Sequence, residues 1–137
     1  MTAQKLSTRD AVELTKEICD IESVSGNERA LADAIEATLQ VEHLEVLRDG
    51  DAIVARTNLG RYSRVVIAGH IDTVPVANNL PTEHRTIEGQ DVLWGRGTVD
   101  MKAGAAVMLK LAVELAEPKV DVTWIFYDHE EVEAELN

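Results

Sequence analysis

A single cysteine, Cys19, occurs in 137 residues. A disulfide framework and a thiolate metal cluster each need several, so both are excluded. Positive charge is also scarce, with 13 Lys and Arg against 25 Asp and Glu and a formal net charge of -12. Such a field repels phosphate backbones and anionic lipid, which argues against nucleic-acid and membrane-surface binding. Long apolar runs are missing too. A membrane-spanning helix needs about 20 consecutive apolar residues, and no run here approaches that. The opening MTAQKLSTRD lacks the apolar segment of a signal peptide. These absences describe a soluble, cytoplasmic protein, and the acidic balance by itself selects no substrate.

What remains is enough for one ordinary domain, because 45% of the residues are hydrophobic and the length permits a real core. No internal repeat, low-complexity segment or linker interrupts it. Ser7 and Asp10 have Ser-x-x-acid capping spacing, and Ala11, Leu14, Ile18 and Ile21 follow at helical period. Cys19 falls inside this pattern as a buried structural thiol. Ser25 and Glu28 repeat the capping signal before Leu31, Ile35 and Leu39, the face of a second helix. Strands are predicted over residues 44–48 and 52–57, joined through Asp49-Gly50, a strong hairpin signal.

Residues 65–69 read as a continuous apolar strand of the kind buried on both faces of a largely parallel sheet. Residues 73–98, with two prolines and three glycines, read as one long irregular loop. Gly104, Met108, Leu111 and Leu115 mark a third helix stopped by Pro118, and residues 120–127 a final strand. The alternation predicts an α/β layer architecture. Polar clusters fall where strands give way to loops, at His70, Asp100 and Glu130, the edge where open α/β sheets form sites.

Each cluster has competing readings. Gly95-Arg96-Gly97 lacks the third glycine of a dinucleotide fingerprint, and Asp100 in its place would repel a pyrophosphate. The glycines instead let the backbone turn and deliver Asp100 to the sheet edge. His70 and Asp72 share a face of an extended chain, which suits a metal ligand with its orienting carboxylate or a general base with its partner. No Gly-x-Ser-x-Gly elbow supplies a nucleophile for the second, and an ordinary surface pair is the third reading. Glu130 and Glu131, on opposite sides of a strand end, could divide metal binding and water activation between them, or could be solvated. Asp100 has two oxygens and could bridge two ions about 3.5–4 Å apart. Imidazole and carboxylate without thiolate suit zinc, cobalt or manganese. His43 and His84 read as solvent-exposed, His129 as pointing away from Glu130, and Trp94 and Trp124 as core residues.

The motifs Gly69-His70-Ile71-Asp72-Thr73-Val74-Pro75, Gly95-Arg96-Gly97-Thr98-Val99-Asp100-Met101-Lys102 and Glu130-Glu131, in that order, resemble the signatures of the co-catalytic zinc deacylases and exopeptidases. That family includes desuccinylases, acetylornithine deacetylases, carboxypeptidases and dipeptidases. The stretch Val76-Ala77-Asn78-Asn79-Leu80-Pro81 is most similar to its actinobacterial desuccinylases. The resemblance implies a three-layer α/β/α catalytic domain with a mixed, largely parallel sheet. It implies two Zn2+ (Co2+ possible in one place), with His70, Asp100 and Glu131 as metal ligands and Asp100 bridging. Glu130 would be the general base and Asp72 the carboxylate that orients His70. A cis peptide at Asp100–Met101 is also implied.

The implied reaction is amide hydrolysis of a small N-acyl amino acid, N-succinyl-LL-2,6-diaminopimelate in lysine biosynthesis, with acetylornithine deacetylation or dipeptidase or carboxypeptidase activity as the alternative within the family. Family members continue well beyond the point where this chain stops and supply a further acidic ligand, a histidine and a dimerisation domain. Residues 1–137 are therefore expected to be the N-terminal portion of a catalytic domain, incomplete at its C-terminus and homodimeric at full length. They would be competent only within the whole enzyme, or else form an inactive metal-binding module. An exposed sheet edge and apolar surface are expected to promote self-association.

Overall fold

The computed structural model describes residues 3–136; Met1, Thr2 and Asn137, at the ends on which the signal-peptide and chain-end expectations rest, lie outside. The order is α1 (Ala11–Asp20), α2 (Arg29–Leu39), β1 (Glu45–Asp49), β2 (Ala52–Arg56), β3 (Arg64–His70), β4 (Glu83–Ile87), β5 (Gln90–Trp94), α3 (Lys102–Glu114) and β6 (Asp121–Tyr127). The main sheet runs β1-β2-β6-β3. It is mixed, as expected, but of its three pairings only β3 with β6 is parallel. A two-residue turn forces β1 and β2 antiparallel, with Gly50 taking positive φ (+59°) at its first position.

The three helices cover one face of this sheet. Leu14, Ile18, Leu31, Ile35, Leu39, Ala105 and Leu109 pack with Ile53, Ala55, Val122, Trp124 and Phe126 into a single core. Cys19 is buried, and desolvation pushes its thiol up to about 11, so it stays protonated and inert at neutral pH. The opposite face carries Leu47, Val54, Ile125 and Ala68 in one cross-strand row fixed by the register. Leu47 is 51% exposed and Val66, nearby on β3, is 59% exposed. The described residues thus supply two of the three expected layers. β3 is an edge strand whose outer half faces solvent, contrary to the expectation of burial on both faces. Apolar content signals β structure, but what covers a strand depends on its neighbours.

Residues 73–98 are not one irregular loop. They contain the hairpin of β4 and β5, closed by Glu88 and Gly89, both at positive φ (51° and 78°). The charged sequence EHRTI hides β4, because its side chains are all exposed and need no apolar alternation. Trp94 is half-buried in that hairpin with the Arg85 guanidinium 3.5 Å from its ring centroid, whereas Trp124 lies in the core.

Two charged residues knit distant segments. Arg48, on β1, meets Asp33 and Glu36 of α2 and Asp51 of the turn at 2.7–3.0 Å, setting one cation against three carboxylates in an acidic chain. Lys102, at the start of α3, is 1% exposed and donates from Nζ to the Ile18 and Ile21 carbonyls. It supplies from another helix the cation that the last turn of α1 lacks. Burial pulls its pKa down to about 8.

Asp121 anchors the opposite end of β6. Its carboxylate accepts hydrogen bonds from the Leu59 amide (2.8 Å), the Thr57 hydroxyl (2.7 Å) and the Arg61 amide (2.8 Å). These bonds, the Leu59 amide foremost, hold its carboxyl at about 2, below the ordinary 3.8. A carboxyl depressed on folding stabilises the native state above its unfolded pKa, and that contribution fades as pH falls through its folded pKa. Asp121→Asn should therefore lower the urea midpoint at pH 7 and flatten the loss of stability between about pH 4 and 2. Tryptophan fluorescence across that range reads the effect; an unchanged acid limb would contradict it.

Candidate metal centre

Parallel pairing of β3 with β6 brings their C-terminal ends together, with His70 opposite Tyr127. The chain leaves both strands at the same edge, so residues 71–73 and 128–131 emerge side by side. His70 is buried there, its Nδ1 3.0 Å from the Asp72 backbone carbonyl and 3.4 Å from the Asp72 carboxylate. A carbonyl only accepts, so Nδ1 carries a hydrogen and the neutral ring presents a lone pair at Nε2.

Asp72 does more than orient His70. Its side chain is completely buried, and each oxygen is used: Oδ1 accepts from the Glu130 amide (3.1 Å), Oδ2 from the Glu131 amide (2.9 Å) and the Ser25 hydroxyl (2.5 Å). Burial disfavours its charge, but the Ser25 hydroxyl and the two amides outweigh that and hold the pKa below the usual carboxylate value.

Asp100 arrives from the Gly95–Gly97 turn. Gly97 has φ +81°, and an added Cβ would sit 3.0 Å from both Lys102 Cδ and Thr73 Cγ2. The Lys102 amide closes the turn on the Gly97 carbonyl at 2.9 Å. The Asp100–Met101 peptide is cis, as the resemblance implied, and so is Leu80–Pro81. Asp100 Oδ1 ends 3.1 Å from His70 Nε2, and Glu130 Oε2 lies 3.9 Å from the same nitrogen.

Glu130 and Glu131 lie beyond β6, not within it, so strand alternation does not separate them. His129, just before them, has a left-handed backbone (φ 56°) at which the chain turns. His129 sits 3.2 Å from Asp128 and 3.6 Å from Glu28, away from the donor cluster as expected. His84 is exposed as expected; His43 is partly buried with Nε2 2.9 Å from the Ala112 carbonyl.

Ligand atoms of His70, Asp100 and Glu131 all lie within 4.8 Å of one another. Imidazole and carboxylate lone pairs at that spacing repel unless a cation lies among them. A proton on His70 would be such a cation. Desolvation opposes it, but the Asp100 carboxylate, the Asp72 carbonyl and the charges of Asp72 and Glu130 raise the His70 pKa above its usual value. The donor set therefore fits a divalent ion, and all five residues predicted from sequence meet at one edge. Ser25 and Glu28 were read as a helix-capping pair; no spacing signal separates that use from their contacts here.

The description Peptidase family M20/M25/M40 matches residues 66–135. The chain is 48% identical over 134 residues to succinyl-diaminopimelate desuccinylase of Corynebacterium glutamicum, covering 93% of this chain and 35% of that one. It is 49% identical over 130 residues to a Mycobacterium tuberculosis protein provisionally named succinyl-diaminopimelate desuccinylase DapE, again with 93% of this chain covered and 36% of that one. It thus spans about a third of their length. A solved M20 family metallo-carboxypeptidase from Sulfolobus solfataricus shares the fold, with TM-score 0.67 and 16% identity over 89% of this chain and 31% of that one.

Gly97→Ala tests the turn that delivers Asp100. A side chain at φ +81° between Lys102 and Thr73 should cost about 1–3 kcal/mol in chemical denaturation. A wild-type midpoint would show that the turn tolerates ordinary residues.

Proposed function

We infer the function from one premise: this chain belongs to peptidase family M20/M25/M40. The reading the site supports best is a metal-dependent amide hydrolase acting on N-succinyl-LL-2,6-diaminopimelate, with succinate and LL-diaminopimelate as products. The observation that carries it is the convergence of His70, Asp100 and Glu131 within 4.8 Å, with the Glu130 carboxylate beside them. Identities of 48% and 49% to relatives named as desuccinylases support the substrate. The proposal includes a cytoplasmic location, for which the described residues hold no helix long and apolar enough to cross a membrane, and a homodimer of the protein that contains this chain.

Two zinc ions, or cobalt in one place, would be held by His70, Asp100 and Glu131. What such ions supply when bound is Lewis acidity at the scissile carbonyl and positive charge for an anionic acyl group. The chain's own groups do the rest. His70 keeps its Nε2 lone pair aimed at the cluster because Nδ1–H is committed to the Asp72 carbonyl. Glu130 takes a proton from the attacking water as the new C–O bond forms. It returns that proton to the amide nitrogen as the C–N bond breaks, so the amine leaves protonated. Asp72 holds the Glu130 and Glu131 amides, and so keeps the base and its neighbouring ligand in place.

Release of succinate by the protein that contains residues 1–137 tests this reading, with metal content measured alongside. Glu130→Gln should lower kcat by about 10²–10⁴ with bound metal unchanged. His70→Ala should lose metal and activity together. Full activity in Glu130→Gln would remove the general base from the proposal. A larger kcat/KM for N-acetylornithine or a dipeptide would overturn the substrate assignment.

A further inference from the structure

The connection between α1 and α2 contributes no metal donor, yet it grips the loop that follows His70 and the turn that leads to Glu131. The Ser23 carbonyl accepts from the Thr73 amide (3.0 Å), and Ser23 Oγ donates to the Ile71 carbonyl (2.7 Å). Val24 bridges Thr73 as a one-residue parallel strand, and the Ser25 amide donates to the Thr73 carbonyl at 3.0 Å. Ser25 Oγ reaches Asp72. On the other side of the connector Glu28 reaches the Glu130–Glu131 turn.

Glu28 is unusual on physical grounds. Its side chain is fully buried, and its Oε2 makes no hydrogen bond among the described residues. Burying a carboxylate without full hydrogen bonding is costly. Although Glu28 stands at the head of α2, its side chain makes no capping bond, so helix stability does not offset that cost. What its Oε1 does meet is His129: the backbone amide at 3.3 Å and the ring Nδ1 at 3.6 Å. His129 is the left-handed residue on which the chain turns over after β6. That turn aims the amides of Glu130 and Glu131 at Asp72 and places the Glu131 carboxylate beside His70 and Asp100.

We propose that Glu28 is a positioning residue for Glu130 and Glu131, holding the left-handed His129 turn from the α1–α2 connector. The proposal rests on the reading of this site as that of a metal-dependent hydrolase, but its geometric core does not need a metal. Glu28 meets His129, the residue just before the base. It fixes that residue's backbone amide, while Asp72 fixes the next two. Together the two buried carboxylates pin three consecutive amides, 129 to 131.

The protein that contains residues 1–137 tests this with Glu28→Ala, Glu28→Gln and, as a control, Thr38→Ala. Thr38 is buried in α2 and bonds the Leu6 amide, far from the turn, so its loss lowers stability without touching the site. Without metal, Glu28→Ala should speed hydrogen exchange at residues 129–131 by about tenfold while leaving β2 and β6 core amides protected. Cobalt titration, read by calorimetry and visible absorption, should weaken by about tenfold with an altered spectrum, the size seen when the support of a metal ligand is lost. Glu28→Gln keeps a carbonyl acceptor for the His129 amide and should recover most of both readouts; Thr38→Ala should move neither. If Glu28→Ala behaves as Thr38→Ala does, the positioning role is wrong, whatever the wild type binds. If the wild-type protein that contains residues 1–137 takes up no cobalt but Glu28→Ala still loosens residues 129–131, the hydrolase reading fails and the positioning role stands.

Discussion

The site hangs on one buried carboxylate. Asp72 has no exposed surface and joins three stretches of chain: its own strand end with His70, Ser25 in the first interhelical connector, and the backbone of Glu130 and Glu131. Such a group is costly to bury unless its hydrogen-bond capacity is filled. Each partner fills part of it, and each is thereby fixed in space. Because these amides come from residues 130 and 131, the carboxylate that stabilises the fold also sets the spacing of two acidic side chains that would otherwise repel.

The strand order makes this possible. Residues 71–120 separate β3 from β6 in sequence, yet the parallel pairing of the two strands puts both C-terminal ends at one edge. An antiparallel pairing would have sent residues 71–73 and 128–131 to opposite ends of the sheet. α3 runs back between the two strands and begins at Lys102, where the buried ammonium joins the end of α1 to the turn that carries Asp100. The same edge is bordered by the exposed row of Leu47, Val54, Ile125 and Ala68, so a polar cluster lies close to an uncovered apolar face.

Much of this arrangement is legible in the amino-acid sequence. The three helices and the strands of the main sheet follow from apolar period, and Asp49-Gly50 marks the hairpin near the bend it forms. All five candidate site residues stand out, because each lies just past a strand or a glycine turn, where polar residues interrupt an apolar pattern. The misses have physical causes. β4 is wholly exposed and leaves no apolar trace. β3 is apolar enough for burial but stands at an edge. Ser25 and Glu28 have capping-box spacing, and neither caps α2.

By itself the sequence determined the helices and the strands of the main sheet, the absence of thiolate chemistry, and the identity of the imidazole and carboxylates that meet. Those properties are local: side-chain chemistry, apolar period and turn residues act over a few positions. Tertiary structure alone decided that Glu130 and Glu131 follow a left-handed histidine beyond β6 and do not lie in strand alternation. It alone decided that Asp72 serves their amides as well as His70, and that Glu28 faces His129 and not the helix it precedes. A buried carboxylate is satisfied by whichever donors the fold brings within about 3 Å, and these come from positions about a hundred residues apart, beyond the reach of any local pattern.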